Sequence, residues 1–167
     1  MKCGKLYFHL EMKESPYEDE LPINEVWGII QLCYELDNKI EYILDWQWDI
    51  TEVVEWFDET KDLLGVKSLN VLNDEDKSIA ELRDLGYERS FFFSQDEMLS
   101  YHEDLDKYFS DFKFHLRGTP TPTYYIGLNN GEGELSYLCR EQKVYKRYCF
   151  NMDEFLKSTK ETLLNFR

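Results

Sequence analysis

Leu6, Phe8, Leu10 and Met12 alternate with Lys5, Tyr7, His9 and Glu11 near the start of the chain. Period-two patterning of this kind sets an apolar face against a polar one and predicts a half-buried strand. The loop KESPYEDELPIN follows, with two prolines and the acids Glu14, Glu18, Asp19 and Glu20. VWGIIQLCYEL then predicts a second strand, and Asp37-Asn38 a turn. Beyond it Ile40, Tyr42, Leu44, Trp46 and Trp48 alternate with mostly polar residues, which predicts a third strand with Trp46 and Trp48 facing the core. Short links between the three imply an antiparallel meander.

The pattern next changes to a helical period. Four segments each open with an oxygen-bearing cap residue and a Glu three positions on: Asp49 with Glu52, Ser78 with Glu81, Ser94 with Glu97, and Asn151 with Glu154. That spacing lets two side chains satisfy the free N–H groups of a first helical turn. The apolar stripes run through Ile50, Val53, Val54, Phe57 and Leu64, ending at Gly65, and through Ile79, Leu82 and Leu85, ending at Gly86. The third stripe is Met98, Leu99, Leu105 and Phe109, and the last Met152, Phe155, Leu156, Leu163 and Phe166. Between the last two helices, Phe112, Phe114 and Leu116 alternate with Lys113, His115 and Arg117 before RGTPTPT breaks the pattern. YYIGL, the turn NNGEG and ELSYL predict a hairpin, and KVYKRYCF one more strand.

These elements define an α+β protein: a single domain over residues 1–167, with an antiparallel β-sheet and four α-helices packed on one face of it. A chain of 167 residues with 43% hydrophobic and 16% aromatic content has ample material for one core. Four cysteines, Cys3, Cys33, Cys139 and Cys149, show no CxxC spacing, and MKCGKLYFHLEMKE has no apolar run of signal-peptide length. The expectation is a cytoplasmic protein with reduced thiols, two or more of them buried as small hydrophobes.

Charge changes the picture most. The net charge is −15, and residues 1–111 hold 28 acids against 10 Lys plus Arg while residues 112–167 hold 6 against 9. Such a field repels nucleic-acid phosphates and anionic membranes and steers basic proteins towards it. In DWQWDITEVVEWFDET, residues 45–60, three tryptophans stand among six carboxylates with no Lys or Arg. On the helix, Glu52, Glu55, Glu59 and Asp62 form one acidic stripe with Asp58 beside it, and only Lys61 offsets it locally. Like charges at this spacing cost a few tenths of a kcal/mol per pair. That cost, with Trp56 outside the obvious apolar stripe, points to a partner-binding surface of Glu52, Glu55, Trp56, Asp58, Glu59 and Asp62. The plainer reading is a solvated helix face, with Trp56 tucked under a neighbouring loop.

No constellation names a reaction. His9, His102 and His115 share no HxH or HExxH spacing, and NDED at 73–76 lacks the glycine and distal Glu of a calcium loop. The glycines of NNGEGE are explained by a hairpin, and Cys33, Cys139 and Cys149 lie in strand patterns where burial is the default. No metal or cofactor is expected.

IEYILDWQWDITEVVEWFDET and FHLRGTPTPTYYIGLNNGEGELSY, about 45 residues together, resemble bacterial immunity proteins of contact-dependent inhibition and related polymorphic toxin systems. The resemblance implies a non-enzymatic inhibitor of a cognate toxin domain, often a nuclease whose basic groove an acidic protein can occupy. Two other classes compete with it. One is a nucleic-acid-mimicking inhibitor of a host DNA- or RNA-binding protein, which the mildly basic final third disfavours; the other is an enzyme whose site is assembled across elements.

Overall fold

The computed structural model describes residues 2–16, 25–67 and 76–166. Its element order is β1 (Lys5–Met12), β2 (Trp27–Leu36), β3 (Lys39–Asp49), α1 (Thr51–Leu64), α2 (Ile79–Arg89), α3 (Gln95–Ser110), β4 (Lys113–Phe114), β5 (Tyr124–Asn129), β6 (Glu132–Cys139), β7 (Val144–Phe150) and α4 (Met152–Leu163). The α+β class and the four helices are those the sequence predicts. The acids Glu18, Asp19 and Glu20 and most of NDED lie outside the described residues.

The strands divide between two antiparallel sheets, β1-β2-β3 and β4-β5-β6-β7, rather than forming one. Among the described residues their edges meet at one parallel bridge, Gly4 to Phe150. Both predicted tight turns form with both central residues at positive φ: Asp37 and Asn38 between β2 and β3, Asn130 and Gly131 between β5 and β6. This mirror-image geometry matches the twist of the strands it joins.

The main core lies between the two sheets and the helices α1 and α4. Leu6, Phe8, Ile30 and Leu32 come from the first sheet, Phe114, Tyr124, Ile126 and Leu135 from the second, and Phe57 and Phe155 from the helices. A second cluster joins Ile79 and Leu82 of α2, Leu105 and Phe109 of α3, Phe112, and Tyr125 of β5. The four-stranded sheet is therefore covered on both faces, not on one as its strand patterns suggest.

Gly86 does not stop α2. The helix runs three residues past it, and a Cβ there would sit 2.9 Å from Leu105, so the glycine lets α2 and α3 approach closely.

On β3 the pairing steps from Leu32–Leu44 to Cys33–Tyr42, leaving Ile43 as an extra residue. A bulge of this kind exchanges the faces of the strand beyond it. Ile43 packs against the core, whereas Ile40 and Tyr42 are exposed. Trp46 faces coreward opposite Ile30 but lies on an edge strand and is 37% exposed, contrary to its predicted core position. Trp48 is half-buried against Trp27, their ring centroids 5.8 Å apart.

Cys3 and Cys149 form a disulfide with Cα atoms 4.5 Å apart, where reduced thiols are expected from the sequence. Their separation of 146 residues hides the pair from any spacing rule. Cys33 and Cys149 are buried, in line with expectation.

Candidate interaction surface

The helix α1 places Glu55, Asp58, Glu59 and Asp62 outward, as its period requires. Its cap differs from the predicted one: the Asp49 carboxylate accepts from the N–H groups of Val26, at 3.1 Å, and Thr51, at 2.9 Å, and buckles the end of β3 to the helix. Glu52 is thereby free to accept from Trp48 Nε1 at 3.0 Å and from the Arg117 N–H at 2.7 Å. Its side chain is largely covered, and its role is to hold the segment after β4 against the helix.

Trp56 is not a surface group. It is 9% exposed, packs on Phe8 and Phe114, and donates from Nε1 to the Lys113 carbonyl at 3.0 Å. The helix has a wider apolar arc than the simple stripe through Val53 and Phe57, and Trp56 and Thr60 complete it. As a partner-binding residue Trp56 is therefore corrected to a core residue.

Lys61 is not the sole counter-charge. Arg117 lies 3.0 Å from Glu55 and 3.6 Å from Glu52, and Lys61 pairs with Asp58 at 2.8 Å. Glu52, Glu55, Trp56 and Glu59 face Lys113, His115 and Arg117 across a hollow of ≈ 250 Å³. Glu59 and Asp62 are exposed and have no ion pair among the described residues. Of the predicted surface, Glu55, Asp58, Glu59 and Asp62 remain outward-facing.

A second acidic surface, which the sequence pattern does not single out, carries the aromatics that α1 lacks. Ser90–Phe92 form a 3-10 turn between α2 and α3, leaving Phe91 79% and Phe92 93% exposed. Phe93 folds back onto Tyr101, ring centroids 5.1 Å apart. The α3 helix then begins at a complete capping box of Ser94 and Glu97, and Asp96, Glu97, Glu103 and Asp104 lie exposed along it with Leu99. Three consecutive phenylalanines between two helical patterns are legible in the sequence, but their exposure is not.

The one carboxylate buried among the described residues is Glu134, 3% exposed on β6. It accepts from Ile79 N–H at 2.6 Å, from Asn129 Nδ2 at 2.8 Å and from Arg147 Nε at 2.6 Å. Ser136 accepts from the Ala80 N–H, and Ser78 from the Glu81 N–H. The first three N–H groups of α2 are thus satisfied by side chains, two of them from the sheet beneath. This carboxylate is committed to fold, with its oxygens held by donors and no second buried carboxylate beside it to divide acid and base roles.

The histidines are equally committed or solvated. His9 is exposed, and His102 Nε2 lies 2.7 Å from Ser90 Oγ. Ser90 donates its proton to the Tyr87 carbonyl at 2.6 Å, so it receives from His102 rather than being activated by it.

What the fold and surface define is a small α+β domain with two outward acidic helices and an exposed aromatic pair at the start of one. No helix is long and apolar enough to cross a membrane among the described residues. Compared with known proteins, the chain matches no family model, no curated protein and no solved structure.

Proposed function

We propose that this chain is a cytoplasmic, non-enzymatic immunity protein that binds and neutralises a basic toxin domain, a nuclease being the class an acidic surface fits best. The observation that carries the reading is the pair Phe91 and Phe92, held in solvent beside the acids of α3. Leaving two large aromatics exposed forgoes about 1.5–3 kcal/mol of burial for each, and exposed aromatics ringed by polar groups are the usual anchors of protein interfaces. The net charge of −15 supplies long-range attraction to a cationic partner. In this reading affinity comes from the phenylalanines, while the outward acids of α1 and α3 set on-rate and specificity.

Co-expression tests it. Cells producing a basic nuclease toxin domain cloned from the gene neighbourhood of this chain should grow when the chain is present. They should stop growing when it carries Phe91→Ala and Phe92→Ala at an unchanged protein level. Failure of the unaltered chain to protect would refute the function; protection by the double variant would refute the anchor.

A further inference from the structure

The two sheets meet at a seam, and a group of metal-ligating side chains lies on it. The Gly4 N–H points at the Cys149 carbonyl and at Tyr34 Oη, each at 2.9 Å, and the Tyr34 hydroxyl donates to the same carbonyl at 3.0 Å. Space at Gly4 is tight, since a Cβ there would fall 2.5 Å from the Glu35 carbonyl oxygen. Backbone contacts therefore hold the Cys3 and Cys149 main chains together whether or not their sulfurs are joined.

Glu132 reaches the same point from a third direction. It is the first residue of β6, paired with Asn129 across the Asn130-Gly131 turn, so the hairpin fixes where it starts. Its Oε2 lies 3.0 Å from Cys149 Sγ and 3.3 Å from Cys3 Sγ. A disulfide has no S–H for a carboxylate to accept, so the oxidised pair gives this contact no hydrogen bond. Two thiolates and a carboxylate at this distance do have a common purpose: all three ligand atoms lie within 4.8 Å of one another, as donors around one ion do.

We propose that in the reduced protein Cys3, Cys149 and Glu132 bind a thiophilic divalent cation, with Zn²⁺ the best fit, and that disulfide formation closes the site. Two soft sulfurs and one hard oxygen select zinc over magnesium or calcium, which take oxygen shells. Three protein ligands leave a fourth position for water. Cys3 is exposed, and a hollow of ≈ 430 Å³ lined by Cys3, Glu132 and Asp153 gives an entry path. Metal binding requires both sulfurs as thiolates, whereas oxidation joins them in an S–S bond and gives up two electrons, so the two states exclude each other. The oxidant is a disulfide of small-molecule or protein class: its two sulfurs leave as thiols, taking the two electrons and two protons that Cys3 and Cys149 lose.

The full chain, reduced with a phosphine and freed of metal, would be titrated with Zn²⁺ against a chromophoric chelator and with Co²⁺ by absorption. One Zn²⁺ per chain and a cobalt–thiolate charge-transfer band are expected, both abolished by Cys3→Ser or by prior oxidation. Glu132→Gln should weaken binding about 10–100-fold, and Cys33→Ser should change nothing. Cys3 is exposed, so its variant folds, which circular dichroism verifies. Reduced wild-type protein that binds no more Zn²⁺ than Cys3→Ser would overturn the site.

Discussion

Glu134 shows what one residue does here. Its carboxylate closes the N-terminus of α2, fixes Asn129 and pairs with Arg147, all while almost fully buried. Replacing it by Ala leaves Arg147 without its carboxylate partner and the Ile79 N–H without its acceptor, so Glu134→Ala should cost about 3–5 kcal/mol in urea unfolding. A loss below about 1 kcal/mol would show that water replaces the carboxylate. The strand ELSYL reveals Glu134 and Ser136 as one polar face, which ordinarily means solvent. Nothing in the alternation says that a helix arrives to cover that face with its N–H groups. Trp56 was hidden for a related reason, since its partner carbonyl, Lys113, comes from 57 residues away.

Elements were the more legible level. Alternation located β1, turn chemistry located both hairpins, and Ser94 with Glu97 forms the capping box its spacing requires. The bulge on β3 was not legible, because one extra residue leaves local composition unchanged while it exchanges the faces of the strand beyond it. Four of the five acids of α1 lie outward as their period predicts, but Glu52 is covered, and the compensating Arg117 arrives from after β4. That ion pair is mostly solvated, so Arg117→Ala should change stability by no more than about 1 kcal/mol. It should raise the association rate with a cationic partner, measured by stopped flow at low salt; an unchanged rate would remove this face from the steering role. Phe91 and Phe92 contribute little to folding, and Phe91→Ala with Phe92→Ala should leave stability within about 0.5 kcal/mol of the parent in thermal melts. Marked destabilisation would mean that they are packed in solution and unavailable as anchors.

At the scale of the whole molecule, the two sheets share an aromatic core whose tyrosine hydroxyls bridge them. Tyr148 donates to Glu41 and Tyr124 to the Ile43 carbonyl, joining the second sheet to β3. Burial raises the phenols of Tyr124, Tyr145 and Tyr148 above their ordinary value, and carboxylate partners push Tyr145 and Tyr148 further. Tyr87 is pushed up to about 12 by burial and by the hydrogen bond it donates to Asp106. Each group holds its proton more tightly folded than unfolded, so its contribution is complete below about pH 10 and is lost as pH rises through the folded value. Alkaline titration followed by tyrosinate absorbance and circular dichroism should therefore show these phenols ionising together with unfolding. Ionisation near pH 10 in a folded chain would contradict the bridging roles.

Binding remains the test of the whole account, because the charge of −15 and the exposed phenylalanines together predict one cationic protein partner. The measurement is capture by the tagged chain from the cells it comes from, with low-salt and then high-salt washes and mass-spectrometric identification of what stays bound. The account predicts a single basic toxin domain at near-equal stoichiometry, lost when Phe91 and Phe92 are replaced by Ala. Recovery instead of a host DNA- or RNA-binding protein, or of nothing specific, would contradict it.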